Sequence, residues 1–308
     1  MASRPTLKIP EKKRALVLPG GGGRGAYQVG VIKAFSELGI KFDMIFGTSI
    51  GALNGIMMAQ GNIERLEQLW ENMRPWDVFK LPSPQQIGRM VFGRKLGLLD
   101  TAPLESLLRR EVDLKKLKAQ TAQIGLFTTD LCCLETRLIT VQEIMSTNEL
   151  IDVMMATAAV PIAFPPRQLH GSGLWVDGGL VRNTPMRAAI DRGAEEIFMV
   201  LLHPEQVNVC PTNMWQLLAR CLDIVLDASA RKELEMAELF NRLIEQGSEE
   251  ATGMHKVNIE LFQPRKAVNM TLLEIDPDAS KKLIQQGYED AMDHMVAAFQ
   301  EETTARAS

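Results

Sequence analysis

The stretch Leu16 to Phe35, LVLPGGGGRGAYQVGVIKAF, sets four consecutive glycines between a short apolar run and a segment of helical periodicity. So much bare backbone at one strand-to-helix turn suits an α/β fold in which a ligand or reacting group approaches the main chain closely. Arg14 to Gly20 reads as a buried strand ended by glycine. Gly25 to Leu38 then carries Val29, Ile32, Phe35 and Leu38 at helical intervals, with Gly39 as the stop. Phe42 to Ser49 reads as a second strand, and Ile50 to Gly61 as a second, mostly apolar helix. This βαβα order predicts a parallel sheet covered on both faces.

Two chemistries could use the glycines. Gly20-x-Gly22-x-x-Gly25 has the dinucleotide-binding spacing, in the strand–turn–helix context that such a site requires. A dinucleotide also requires an acid at the end of the second strand for the ribose hydroxyl. Asp43 lies at the beginning of that strand instead, and Gly47, Thr48 and Ser49 hold its end. A Walker lysine is absent too, since Arg24, Gly25 and Ala26 follow the glycines. Acyl transfer is the other use. It needs backbone N–H donors around a developing oxyanion. Gly21, Gly22 and Gly23 follow the first strand, and Ser49 of Gly47-x-Ser49-x-Gly51 follows the second. In a parallel sheet both turns emerge at the same carboxyl edge. A Gly-x-Ser-x-Gly between strand and helix suits a nucleophile lifted above the sheet. The plainer alternative makes Ser49 the N-cap of a tight strand–helix turn.

A serine nucleophile needs a base. His170, His203, His255 and His294 are the only histidines, and none has the loop surroundings of an active site. His203, at the end of the apolar run Glu195 to His203, is the best placed of them. Asp177 is the stronger candidate: it leaves an apolar run and meets Gly178 and Gly179, where backbone is unusually accessible. An ordinary Asp-Gly turn is the competing reading.

Taken together, GGGGRG (Gly20 to Gly25), GTSIG (Gly47 to Gly51) and DGGLVRNTP (Asp177 to Pro185) resemble the motifs of the patatin-like phospholipase family. Ala156 to Pro166 also resembles the family's small-residue segment, with Thr157 where serine is usual and Pro19 where Asp or Ser often precedes the glycines. The resemblance runs from about Arg14 to Pro204. It implies an α/β fold, a three-layer α/β/α sandwich around a mainly parallel sheet. It also implies a catalytic dyad of Ser49 and Asp177 with no histidine, an oxyanion hole from Gly21, Gly22 and Gly23, and no cofactor. The implied substrate is a phospholipid or other lipid ester; a catalytically silent, lipid-binding member of the family is the alternative. Arg24 is expected to bond backbone carbonyls of the glycine loop, and contact with a phosphate headgroup is its second reading. Gly47, Gly51, Gly178 and Gly179 support the two turns. Burial beside the apolar run is expected to raise the Asp177 pKa and make it a competent base.

Composition narrows the remainder. A net charge of −4 over 308 residues speaks against nucleic acid as a partner. Clustered metal ligands are absent from the sequence, and the four cysteines are expected to be buried, reduced thiols. Residues 1–13 read as a flexible segment without a secretory apolar core. Residues 14–308 then read as one domain, with the motifs in 14–204 and the remainder completing or capping it. The longest apolar run, Val153 to Pro166, is too short to span a bilayer, so the expected location is cytoplasmic with transient contact at membrane surfaces. Trp76 to Leu99, mixing Trp76, Phe79, Met90, Val91, Phe92 and Leu96 with Arg89, Arg94 and Lys95, is the candidate lipid-facing stretch. Met214 to Gln246 is expected to be a long helix, Asn269 to Asp276 the last strand, and Ser280 to Gln300 a closing helix.

Overall fold

Short apolar strands returned to the same edge by helices make most of the sheet parallel. The structure is a computed structural model that describes residues 12–82, 96–169, 171–203, 210–247, 255–266 and 270–307. Strands β1 (Arg14–Leu18), β2 (Met44–Thr48), β3 (Gln123–Asp130), β7 (Glu196–Val200) and β8 (Asn258–Phe262) pair in parallel, while β4 (Glu135–Thr140), β5 (Arg167–Leu169) and β6 (Ser172–Asp177) are antiparallel. The order is β5-β6-β3-β2-β1-β7-β8, with β4 paired to β3.

Alternation sorts the strand side chains onto two buried faces. Leu16, Leu18, Ile45 and Ile124 pack beneath helices α1 (Gly25–Glu37), α2 (Ile50–Ala59), α3 (Ile63–Asn72), α7 (Thr147–Thr157) and α10 (Pro277–Ala307). Ala15, Val17, Met44 and Phe46 pack on the other face beneath α8 (Met186–Ile190) and α9 (Met214–Glu245). The layers are those of the expected three-layer α/β/α arrangement. Three more helices, α4 (Pro75–Val78), α5 (Ala102–Glu111) and α6 (Leu114–Lys118), lie outside the first face.

One register places the two motif turns together. β4 pairs with β3 along Gly125 to Asp130, which uses one edge of β3. On the other edge β2 runs alongside only as far as Thr48, opposite Phe127. β6 then takes over that edge from the opposite direction, and its last residue, Asp177, stands opposite Thr128. The ends of β2 and β6 therefore meet head to head along one strand.

The closing helix is clasped to the first one. A Cβ on Gly30 of α1 would stand 1.9 Å from the Ile284 carbonyl oxygen, and one on Gly287 of α10 would stand 2.1 Å from that of Tyr27. Only hydrogen at both positions lets the backbones approach so closely. Around this contact Phe35 meets Phe198 and Phe262 edge-on, at centroid distances of 5.4 and 4.9 Å, joining α1 to β7 and β8. Such pairs each add about 0.5–1.5 kcal/mol beyond area burial.

Three expectations differ from the structure. The last strand is Asn258–Phe262, parallel to β7; Thr271 to Glu274 forms a turn whose leucines cover the glycine loop instead of joining the sheet. All four cysteines are exposed: Cys132 and Cys133 sit in the β3–β4 turn, Cys221 points outward from α9, and Cys210 precedes it. Within the stretch expected to face lipid, Phe79 turns inward against Phe164, at 6.1 Å between ring centroids, while Trp76 is exposed beside Arg74. Residues 83–95 of that stretch, His170, and the segment 1–11 lie outside the described residues.

The clasp makes a quantitative prediction. Gly287→Val forces apart the two helices and is expected to cost about 1–3 kcal/mol, the usual price of overpacking a close contact. Denaturant unfolding of the variant against the parent measures it; an unchanged midpoint would refute the clasp.

Candidate active site

The turn after β2 is tight for reasons visible in its glycines. A Cβ on Gly47 would lie 2.5 Å from the Ala52 nitrogen, and one on Gly51 would lie 2.2 Å from the Leu18 carbonyl oxygen. Between them Ser49 adopts φ 54° and ψ −129°, a left-handed conformation rare for any residue but glycine. Holding a serine there costs on the order of 1–3 kcal/mol, which the packed surroundings must offset. Ser49 is buried, at the start of α2.

Asp177 completes the meeting set up by β3. Its carboxylate accepts the Gly179 amide at 2.8 Å, and the Ser49 side chain faces it closely enough to act on its titration. A Cβ on Gly178 would lie 2.7 Å from the Phe127 backbone, so this turn also needs its glycine. Burial pushes the carboxyl up to about 6, outweighing the Ser49 side chain and the Gly179 amide, which pull it down.

Two residues that the sequence reading left without a role hold these turns in place. Thr157, at the end of α7, accepts the Ser49 backbone N–H on its hydroxyl at 2.9 Å and donates to the Phe127 carbonyl. Asn183, from DGGLVRNTP, accepts the Gly20 amide at 2.8 Å and donates to the Gly20 carbonyl at 3.3 Å. The glycine loop is thus fastened to the Asp177 turn by one buried side-chain amide. From its other side, Gln28 donates to the Pro19 carbonyl, Asn54 donates to Gln28, and Trp70 donates to Asn54, at 2.8, 2.9 and 3.0 Å. Polar residues on two apolar helices were the available signal for this chain.

Arg24 acts differently from expectation. It is buried, forms an ion pair with Asp223 of α9, and donates to the Met270 carbonyl at 3.2 Å. The carbonyl it bonds belongs to the approach to the 271–274 turn, and the glycine loop contributes none. The Gly23 amide donates to the Leu272 carbonyl at 3.2 Å, while Gly22 takes φ 57° with its Cα pressed against the same carbonyl. Among the described residues no acceptor stands opposite the Gly21 or Gly22 amide.

Among the described histidines none is bonded to Ser49 or Asp177. His255 contacts the Ala194 carbonyl and His294 pairs with Glu260. His203 is pushed down to about 4 by burial and by the Arg24 guanidinium, which leaves it neutral.

Ser49, Gly22 and Gly23 open into a pocket of about 110 Å³ that runs between α2, α3 and α5. Its walls are almost wholly apolar, with Met57, Leu69, Leu108 and Phe164 among them. A hydroxyl and bare amides lining an apolar pocket, with a carboxylate behind the hydroxyl, can receive an ester with an apolar acyl chain. The sequence profile of the family described as patatin-like phospholipase matches residues 16–190, more than half of the chain and all of these motifs. The chain belongs to the patatin-like phospholipase family.

Relatives within the family extend the comparison. The chain is 30% identical over 200 residues to lysophospholipase NTE1 of Saccharomyces cerevisiae, covering 60% of this chain and 10% of that protein. It is 56% identical over 46 residues to patatin-like phospholipase domain-containing protein 7 of Rattus norvegicus, covering 15% of this chain and 3% of that one. It is also 40% identical over 85 residues to neuropathy target esterase sws of Drosophila willistoni, covering 26% and 6%. It therefore spans a small part of the length of these curated relatives. In three dimensions it resembles VipD from Legionella pneumophila with a TM-score of 0.52 at 14% identity, covering 94% of this chain and 67% of VipD; that likeness shows the fold. Among the described residues, no helix is long and apolar enough to cross a membrane, and no group of three His, Cys, Asp or Glu side chains is arranged to hold a metal ion.

The patatin-like elbow depends on Thr157. Thr157→Val removes the acceptor of a buried N–H and is expected to cost about 1–3 kcal/mol, whereas Thr157→Ser retains the bond. Thermal unfolding of both variants tests this, and equal melting temperatures would contradict it.

Proposed function

We propose that this patatin-like protein hydrolyses carboxylic esters of lipids, with Ser49 as nucleophile and Asp177 as general base. The observation that carries the reading is a buried carboxylate facing the side chain of Ser49, which itself lines an apolar pocket. The acyl chain enters the pocket and brings the ester carbonyl to Ser49. Oγ attacks the carbonyl carbon as its proton passes to Asp177, and the negative charge moves to the carbonyl oxygen. The Gly21 and Gly22 amides stabilise that oxyanion, and the Gly23 amide joins them when it exchanges the Leu272 carbonyl for the substrate. The tetrahedral intermediate collapses, the alcohol leaves with the proton held on Asp177, and an acyl-enzyme remains. Asp177 then takes a proton from water, which attacks the acyl carbonyl. The fatty acid departs as the proton returns to Ser49 Oγ.

Burial is what makes a carboxylate adequate for this task. A base with a pKa near 6 accepts the serine proton with a driving force closer to that of histidine than an ordinary carboxylate can offer. The strain at Ser49 and the dipole of α2 act in the same direction, exposing the oxygen and favouring negative charge beside it. Exposed Trp76, Leu81 and Ile162 supply apolar surface suited to meeting a lipid aggregate, supporting transient membrane contact.

Hydrolysis of phospholipid, monoacylglycerol and p-nitrophenyl ester series by the parent protein tests the reading. Ser49→Ala and Asp177→Asn are each expected to lower kcat at least 10³-fold, on the order seen when members of a catalytic unit are removed. A fluorophosphonate should label the parent protein and leave Ser49→Ala unlabelled. Full turnover by either variant would defeat the dyad. Absence of both turnover and labelling in the parent would instead mark a silent lipid-binding member.

The Asp177 carboxyl gives two pH predictions of opposite sense. Activity requires its ionised form, so kcat/KM should fall as pH drops through about 6. Stability runs the other way, because the folded state holds this proton more tightly than the unfolded chain. The contribution favours folding below about 4 and is lost as pH rises from 3.8 to about 6. At pH 7 the ionised group thus costs about 3 kcal/mol, taking about 1.4 kcal/mol per pH unit over that interval. Asp177→Asn should therefore be inactive yet unfold at no lower temperature than the parent at pH 7. A clearly lower melting temperature would show that the carboxylate stabilises the fold.

A further inference from the structure

Helices α2 and α3 are joined by residues 60–62 and fold back on each other, and the Trp70 indole sets their register by donating to Asn54 at 3.0 Å. On that register Met73 stands level with Ile50, Leu69 with Leu53 and Leu66 with Met57, and all six line the acyl pocket. The pocket therefore runs along α2, away from Ser49, one helical turn at a time.

Its far end has a different character. Glu111, the last residue of α5, is the one charged side chain among the described residues that line the pocket. Gln60 fixes it beside the end of α2, since the side-chain amide donates to the Glu111 carbonyl at 3.2 Å. The Glu111 carboxylate accepts two hydrogen bonds from the Arg65 guanidinium, at 2.9 and 2.6 Å, and Arg65 is exposed on the outer side. That guanidinium holds the carboxyl below its ordinary value, so the pair is ionised at neutral pH. A hydrocarbon chain reaching this point would strip water from the charged pair and return no hydrogen bond. The corridor is thus closed to further methylenes by chemistry as well as by shape.

Its length converts into carbons. From Ser49 to Met57 is eight residues of helix, about 12 Å at about 1.5 Å each. An extended acyl chain advances about 1.25 Å per carbon, given bonds of about 1.52 Å at about 111°, so about ten carbons fill that length. Volume agrees. At about 10–15 Å³ of cavity for each water-sized group, the pocket's 110 Å³ holds about seven to eleven of them, and a methylene is close to that size. We propose that the Met57 side chain and the Arg65–Glu111 pair form a stop, which makes the protein selective for acyl chains of about eight to twelve carbons. This rests on the hydrolase reading and adds to it a chain-length class.

The test runs the full chain on p-nitrophenyl esters from butanoate to octadecanoate, each below its aggregation threshold. For the parent, kcat/KM is expected to rise about fourfold per added carbon, the worth of one buried methylene, as far as decanoate, and to fall beyond dodecanoate. Ratios between two esters are read on one preparation, so any loss of folded protein in a variant cancels. Met57→Ala deletes Cγ, Sδ and Cε at the stop and is expected to raise the tetradecanoate-to-decanoate ratio about tenfold or more. Glu111→Ala opens the same end from the other side and should raise that ratio too. Leu69→Phe narrows the corridor half-way along and should move the optimum to hexanoate or octanoate. An unbroken rise to hexadecanoate in the parent would overturn the proposal, as would ratios that none of the three substitutions moves. Straight-chain methyl ketones, whose carbonyl stands in for that of the ester, read the pocket without turnover. Their calorimetric affinity for Ser49→Ala should climb with length and level off at about ten carbons. That plateau with no turnover of any ester by the parent would mean that the hydrolase reading fails while the stop stands. Turnover with affinity still climbing beyond tetradecane-length ketones would mean that the stop itself fails.

Discussion

Everything about this site depends on how one strand divides its free edge. β3 gives the first part of that edge to β2 and the last part to β6, which arrives from the opposite direction. Residues 48 and 177 therefore stop at adjacent positions, opposite Phe127 and Thr128. Backbone hydrogen bonds fix strand positions to a fraction of a residue, and side-chain parity follows from register. A slip of one residue in β6 would turn the Asp177 side chain to the other face of the sheet and leave the Ser49 hydroxyl without its acceptor. The meeting of hydroxyl and carboxylate is accordingly a property of the ladder, refined by Thr157 and Asn183.

Electrostatics then exploits what the ladder provides. A carboxylate buried against an apolar recess loses hydration, and the Ser49 side chain and Gly179 amide facing it restore only part of that loss. The result is a carboxyl poised between the ordinary aspartate and histidine ranges. The neighbouring Arg24–Asp223 pair stays out of this chemistry. It neutralises itself and spends its remaining reach on the Met270 carbonyl, so it serves to join the glycine loop, α9 and the 271–274 turn.

Much of the architecture was legible because short-range rules coincide with the fold. Short apolar runs gave β1, β2 and β7, helical patterning gave α1, α2 and α10, and their alternation gave the parallel sheet. The three motifs supplied Ser49, Asp177 and the glycine loop as a set only through their joint resemblance to the family, since each alone also fitted a plain turn or a dinucleotide site. Long-range competition hid the rest. Leu272 and Leu273 lie in a β-like run, yet burying them on the glycine loop and pocket prevailed over adding a strand, while the more polar Asn258–Phe262 took the sheet edge. Asn183 and Thr157 stood in plain view, but their partners are 163 and 108 residues away, and no local pattern encodes such a bond. The cysteines came out exposed because the tip of a hairpin and the outer side of a helix ask for no burial, whatever the average habit of the residue type.

The helix clasp carries an implication for the order of assembly. α1 begins immediately after the glycine loop, and its Gly30 is backed by Ile284 and Tyr288, more than 250 residues later in the chain. The carbonyl of Leu272 that meets the Gly23 amide is almost as distant in sequence. During synthesis the loop leaves the ribosome before its backing does, and waits for α10 to follow. A nascent chain can therefore pair β1 to β7 before it owns a finished pocket, and chemistry waits for α10.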